Sequence, residues 1–568
     1  MTAALLPFTA PLPETKTYGH LALDRAAGKW VLDAVEPHIA IRLKSAFPKV
    51  PKSATAPFSF PNAPESCADL EWFIQRFPVR LSEKDRAALA RGRETYHDDL
   101  NEIERIMLPG YVPGPIIGFN PGYAPYPMQS QAIDVALKRG RLLLADDLGL
   151  GKTTVAIGAM LDPRCLPAAV VVQSHLPKQW KDRIAEFSGL RVHVIKTKAP
   201  YSLPPADVYI FSYSNIGGWV DVLDTGMFKS AIFDEIQELR TGAATLKYKG
   251  AKILARHAHA LRLGLSASPI YNYGGEIFPI MSLIEPGCLG TWDEFTREWC
   301  SSQGNGKWVV NDPDALGSYL RDHHLMLRRL RGGRPVNTIV REVPYDNDLA
   351  AASEDLTRAL AMKVLTGSFM ERGRAARELD MLARQTTGVA KARHVAGVVR
   401  ILLEEGIPVI LAGWHREVYE IWMRELEDHK PLLYTGTETG SKKDKNKAAF
   451  IAGETNLLVM SLRSGAGTDG LQTRCSTVVI GELDWSPKVH EQIVGRVDRP
   501  GQTEDEVTAI YCITDDGSDP VLTSMLGLKS TQARGITDPM AGVVQVHSDE
   551  SRMKRLAERY LARGANKA

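Results

Sequence analysis

A chain of 568 residues, 44% hydrophobic and 24% charged, has the composition of a globular protein and the length of roughly three to five ordinary domains. Its formal net charge of +2 excludes a globally basic nucleic-acid binder, so such a partner must be argued from local motifs. No apolar run reaches the ~18 residues a membrane span needs, and the 6 cysteines are scattered without a C-x-x-C, which argues against zinc sites and disulfide frameworks.

The start, MTAALLPFTAPLPETK, has no basic residues before its apolar stretch and is broken by Pro7 and Pro11, which predicts a cytoplasmic protein without a secretory leader. Next, YGHLALDRAAGKWVLDA (18–34) alternates about turn residues and predicts a small hairpin. The proline-rich 47–64 reads as irregular linker, and 69–107 as helices. Residues 1–112 are therefore set apart as an accessory α+β module in which Trp30 and Trp72 are expected in the core.

From 113 the pattern becomes short apolar runs alternating with helical periodicity. RLLLA (141–145), AAVVV (168–172), DVYIF (207–211), SAIFD (230–234) and LRLGLSA (261–267) have the length and branching of buried parallel strands. A second series holds PVILAG (408–413), LLYTG (432–436), NLLVMS (456–461), TVVIGEL (477–483) and TAIYCIT (508–514). The predicted fold class is α/β: two doubly wound parallel-sheet lobes, 113–285 and 389–515. A mostly helical, basic connection (286–388) lies between them, and a C-terminal helical brace (516–568) follows.

In RLLLADDLGLGKTTVAIGAM (141–160) a strand, a glycine-bearing loop and a helix follow one another. That order serves phosphate binding: glycines let backbone N–H groups approach the oxygens, and the helix N-terminus adds its dipole. Leu148, Gly149, Gly151, Lys152, Thr153 and Thr154 are the nucleotide-binding candidates, with Lys152 reaching the β and γ phosphates and Thr153 ligating Mg2+. Yet Asp146 stands where the common G-x-x-x-x-G-K-[ST] pattern has its first glycine. SAIFDE ends a strand in Asp234 and Glu235; in a phosphate-loop enzyme Asp234 would serve Mg2+ and Glu235 would act on the attacking water as general base.

With LSASPIYN (265–272) and QIVGRVDRPGQ (492–502) added, the chain resembles the Swi/Snf family of helicase superfamily two, whose nucleotide loop commonly reads D-E-x-G-x-G-K-T. The resemblance implies two RecA-like lobes, ATP and Mg2+ as cofactors, and double-stranded or branched DNA as partner. PMQSQAIDVAL resembles the glutamine motif and nominates Gln129 for adenine. VVVQSHLPKQW resembles the segment that touches a DNA backbone and nominates Ser174 and Trp180; Gln237 stands where many members have histidine. Ser266, Ser268 and Asn272 match the motif coupling nucleotide state to DNA. HLMLRRLRGGRPVNTIVREVP (324–344) resembles the M-L-R-R segment. MSLRSGAGTDGLQ (460–472) brings Gly467 to the nucleotide side and Ser461 to the coupling side, although GTDGLQ departs from the commoner G-L-N-L. GELDWSPKVHEQIVGRVDRPGQ (481–502) matches the arginine signature, with Gln492 a coupling candidate and Arg496 and Arg499 implied as the guanidiniums that neutralise charge on the transferring phosphoryl group.

SKKDKNK (441–447) and RRLRGGR (328–334) are candidates for DNA phosphates or for solvated loops, and RMKRLAERYLARGANKA (552–568) for a basic amphipathic helix. The leading expectation is a monomeric, DNA-dependent ATPase that translocates on duplex DNA and remodels DNA or protein–DNA complexes in replication, recombination or repair. A strand-separating DNA or RNA helicase and a non-catalytic nucleic-acid scaffold are the alternatives.

Overall fold

The computed structural model describes residues 16–47, 50–270, 274–302, 308–330, 336–366, 369–462, 470–499 and 501–523, with 556, 558 and 561. Asn272, Gly467, the end of RRLRGGR and nearly all of the C-terminal basic segment lie outside these residues. The chain divides into two compact units, 1–113 and 114–568.

In the first unit β1 (His20–Asp24) and β2 (Lys29–Asp33) form the hairpin that the alternation predicts. β3 (Phe58–Pro61) extends it antiparallel to β2, inside the stretch read as linker. The prolines there are compatible with a strand because β3 is at the sheet edge, where missing N–H donors cost little. Phe58 and Phe60 face inward and pack with Leu21, Trp30, Leu70 and Phe73. Trp30 is fully buried with its indole N–H donating to Asn62 Oδ1 at 3.1 Å, but Trp72 is 50% exposed beneath the Arg76 guanidinium, not in the core.

Among the described residues the second unit holds two all-parallel sheets. The first runs β12-β4-β9-β8-β5-β7-β6. In chain order these strands are β4 (Arg141–Leu144), β5 (Ala168–Val172), β6 (Val192–Val194), β7 (Val208–Ser212), β8 (Ser230–Asp234) and β9 (Leu261–Leu265). A small hairpin, β10 (Cys300–Ser302) and β11 (Trp308–Val310), precedes β12 (Met326–Leu327). The second sheet runs β13-β18-β17-β14-β16-β15. Its strands are β13 (Val336–Glu342), β14 (Val409–Gly413), β15 (Leu432–Tyr434), β16 (Leu457–Ser461), β17 (Thr477–Ile480) and β18 (Val507–Ile513).

Central strands are buried along their whole length because helices cover both faces: Ile410, Leu458 and Val478 face one core of the second lobe, and Leu411, Val459 and Val479 the other. This is the predicted pair of RecA-like lobes. The stretch 286–388, read from sequence as helical, also supplies one strand to each sheet: β12 pairs with β4, and β13 pairs with β18. Periodicity does not reveal a two-residue strand such as β12, and β13 is exposed on nearly every residue, so neither carries the buried-strand pattern. Since every pairing in the first sheet is parallel, β4, β5, β8, β9 and β12 all deliver their C-terminal residues to one edge, where ligands of such sheets bind.

Candidate functional site

After β4 the chain turns through Ala145–Gly151 and enters the helix Lys152–Met160. Gly149 and Gly151 have φ of 81° and 78°, in the left-handed region that side chains resist. A Cβ at Gly151 would also lie 2.2 Å from Gln129 Nε2. Gln129 is buried behind the loop: its Nε2 donates to Leu150 O at 3.0 Å, and its Oε1 accepts from Tyr126 N at 2.9 Å. The glutamine nominated for adenine thus caps its own helix with one end of its amide and braces the loop with the other.

Lys152 donates to the carbonyl oxygens of Asp146 at 2.7 Å and Asp147 at 3.0 Å, which folds the loop about its own ammonium. Burial lowers the Lys152 pKa, against the opposing pull of Glu235, Asp146 and Asp147. The Asp146 side chain is 0% exposed and meets Arg329, which follows β12. Arg329 donates from its backbone N to Asp146 Oδ1 at 3.0 Å, from Nε to both carboxylate oxygens at 3.0 and 3.2 Å, and from Nη2 to Oδ2. Its Nη1 donates to Met128 O. Arg328 Nη1 donates to Ala145 O at 2.8 Å, and Asp147 N to Arg329 O at 3.0 Å. An acid at 146 therefore stitches the loop to the neighbouring strand, work that a glycine could not do. Arg328 and Arg329, expected as DNA-phosphate candidates, are committed to the loop; their partners are too distant in sequence for local reading to pair them.

At the end of β8, Asp234 Oδ2 accepts the Trp180 indole N–H at 2.8 Å. Burial and the neighbouring Glu235 raise the Asp234 pKa to about 7, while the Trp180 bond and Lys152 pull it down. Tyr213 Oη donates to Asp234 O at 2.8 Å. Trp180, expected against a DNA backbone, is 3% exposed, and its helix (Pro177–Phe187) turns the indole toward Asp234 at the sheet edge. Glu235 has φ 49°, a conformation that costs a non-glycine residue of order 1 kcal/mol and clusters at functional sites. Its carboxylate accepts from the buried Gln237 Nε2, so the residue in the family's histidine position orients the glutamate.

After β9, Ser266 Oγ accepts Ser268 N at 2.9 Å, and both serines are buried. Ser174 is exposed, with its Oγ 3.1 Å from Ser214 Oγ. In the second lobe Ser461 ends β16, Gln492 lies on the helix Pro487–Val494, and the buried Arg496 follows. Arg499 Nε donates to Gly495 O at 3.2 Å. Gly495 lies against the phosphate loop, for a Cβ there would come within 2.7 Å of Leu148 Cδ1. Gln502, which closes the arginine motif, is spent on structure: Nε2 donates to Cys475 O and Val497 O, and Oε1 accepts from Thr503 N and Glu504 N.

One sheet edge thus gathers Lys152, Thr153, Asp234 and Glu235, and Gly495 of the other lobe lies against Leu148 of the same loop. The donor set is a hydroxyl and carboxylates, all oxygen, which suits a hard cation such as Mg2+. The loop and helix start suit a polyphosphate.

A family model described as the SNF2-related domain matches residues 70–332. The DNA annealing helicase and endonuclease ZRANB3 of Bos taurus is 26% identical over 446 residues, 72% of this chain and 40% of that protein. The SWI/SNF-related matrix-associated actin-dependent regulator of chromatin subfamily A-like protein 1 homolog of Caenorhabditis elegans is 26% identical over 71% of this chain and 60% of its own length. The uncharacterized ATP-dependent helicase YqhH of Bacillus subtilis is 22% identical over 71% and 76%. The chain spans about 40% of the length of the ZRANB3 relatives it matches. The Sulfolobus solfataricus SWI2/SNF2 ATPase core in complex with dsDNA superposes at a TM-score of 0.37 and 17% identity over 74% of this chain and 95% of its own, too weakly to carry weight. The matched family model and the relatives along its length support a likeness of this chain to the Swi/Snf family of helicase-like ATPases.

Proposed function

We propose that the protein hydrolyses ATP to translocate on double-stranded DNA, remodelling DNA or protein–DNA complexes in replication, recombination or repair. Among the observations that support this reading, the Gly495–Leu148 approach carries it, because it sets the segment bearing Arg496 and Arg499 beside the loop bearing Lys152. Hydrolysis that needs both lobes closed can be coupled to lobe motion.

In this reading Leu148, Gly149, Gly151, Thr154 and Lys152 would hold the triphosphate, and Thr153 and Asp234 would hold Mg2+, which would supply charge neutralisation. Glu235, oriented by Gln237, takes the proton of the attacking water at its carboxylate. Arg496 and Arg499 stabilise the charge that develops on the transferring group, worth about 10³–10⁵ in rate where such arginines have been removed. Gln129 holds the loop in shape, and Ser174, Ser266, Ser268, Ser461 and Gln492 lie on the path toward DNA. Both half-sites lie in one chain, so the reading needs only a monomer. Among the described residues no helix is long and apolar enough to cross a membrane; the cytoplasm is part of the proposal.

The test is ATP hydrolysis with double-stranded, single-stranded and forked DNA, beside triplex displacement and fork unwinding. Duplex-stimulated hydrolysis that Lys152→Ala and Glu235→Gln abolish, with triplex displacement, is expected. Efficient unwinding without triplex displacement would favour a strand-separating helicase, and DNA binding without hydrolysis a scaffold.

A further inference from the structure

The proposed role of Arg496 requires that the helix before it, Pro487–Val494, keep one orientation. Val489, Ile493 and Val494 share a core with Leu379 and Ala383 of the long helix Phe369–Glu404. Such contact is non-directional and does not by itself set rotation or register. Directional contacts sit at the N-terminal end. Trp485 Nε1 donates to Asp380 Oδ1 at 2.6 Å, and Arg384 Nη2 donates to Leu483 O at 3.1 Å. The Arg384 guanidinium also lies 3.7 Å from the Asp484 carboxylate. Asp484 Oδ1 accepts Ser486 N at 2.9 Å, and Asp484 N donates to His490 Nε2 at 2.8 Å. Asp484 and His490 are buried, burial pushes the His490 pKa down to about 4 so that the ring is neutral at pH 7, and the Asp484 N–H facing Nε2 makes that nitrogen the acceptor. At the other end Gly495 has no spare room against Leu148, so a small rotation of the helix would either collide with the phosphate loop or withdraw from it.

We infer that Asp380, Arg384, Asp484 and His490 form a polar clamp by which the long helix 369–404 holds the arginine segment at the height where Gly495 meets Leu148 of the loop. They are positioning residues for the hydrolysis proposed above, and the inference rests on that reading for its consequence but not for its geometry. Misplacing a reacting group by ~1 Å can cost about 10²-fold in rate, which sets the scale.

Two measurements on the full chain test it. In steady-state DNA-stimulated hydrolysis, His490→Ala and Arg384→Met should each lower kcat by about 10- to 100-fold with little change in KM for ATP. His490→Gln, which restores a side-chain acceptor, should recover part of the loss. In an Arg496→Ala/Arg499→Ala background neither substitution should lower the rate further, since the clamp acts through those arginines. Losses that multiply with the double arginine variant, or that appear in KM, overturn the inference. Independently of activity, hydrogen exchange should quicken over 487–499 in both variants while 141–160 is unchanged; unchanged exchange over 487–499 also overturns it. A wild type that hydrolyses no ATP, with variants that loosen 487–499, removes the proposed function and leaves the clamp.

Discussion

Asp146→Gly restores the common phosphate-loop pattern and is expected to damage the loop. The substitution removes a carboxylate that is 0% exposed and leaves the Arg329 guanidinium, 19% exposed, facing an empty acceptor position. Removing one member of a buried ion pair costs about 3–5 kcal/mol. The partial exposure of Arg329 gives water access to the abandoned charge, which places the cost near the lower end, about 3 kcal/mol. A glycine in that turn adds up to about 1 kcal/mol of chain entropy. The loss should be local, since Arg329 reaches Met128 O, Asp146 and, through its carbonyl, Asp147. Hydrogen exchange resolved by peptide is the assay: protection over 141–160 should fall by that amount while 470–499 is unchanged. Arg329→Met should cost a similar amount, and the double variant should recover about 2–3 kcal/mol of the sum, as expected for directly coupled residues. Protection within about 0.5 kcal/mol of wild type, the size of an ordinary surface substitution, or strictly additive losses would refute the stitching role of Asp146.

Gly151→Ala should abolish fluorescent-ATP binding, and Gln129→Ala should not rescue it, because relieving the 2.2 Å clash leaves a φ of 78° that alanine resists. The Asp234 carboxyl, raised to about 7 from an ordinary carboxylate value near 4, holds its proton in the folded chain where the unfolded chain has released it. The unfolded state thus binds fewer protons between about pH 4 and 7, so this residue's contribution makes stability fall as pH rises through that window. Asp234→Asn should remove that slope in urea titrations of metal-free protein while raising stability at pH 8. In wild type the Mg2+ concentration needed for half-maximal hydrolysis should climb as pH drops below about 7. Trp180→Phe removes the N–H that lowers the Asp234 pKa, so the Mg2+ curve should shift further toward alkaline pH while the DNA concentration for half-stimulation stays constant. A change confined to DNA affinity would return Trp180 to the DNA side.

Much of this site is legible along the chain because its pieces are local: a buried strand, glycines at positions needing φ above zero, a helix start with Lys152 and Thr153, and a strand ending in two acids. Backbone preference and residue order specify these within a few residues. β3 was hidden by its prolines and β12 by its brevity, and the strand order that gathers β4, β8, β9 and β12 at one edge follows from packing that no single stretch records.

Side-chain partnership was decided at a longer range still. In the sequence Asp146 is a mismatch, Trp180 and Arg329 resemble DNA contacts, and Gln502 is the end of a motif. In the folded chain these residues brace the loop, hold the Asp234 carboxyl and close a turn. Sequence alone determined the two doubly wound parallel-sheet lobes and the glycine-bearing strand, loop and helix that suit a phosphate. The tertiary structure decided which charged and polar groups are spent on holding that machinery in shape, because a hydrogen bond or buried ion pair depends on sub-ångström placement of groups that only the closed sheet brings together.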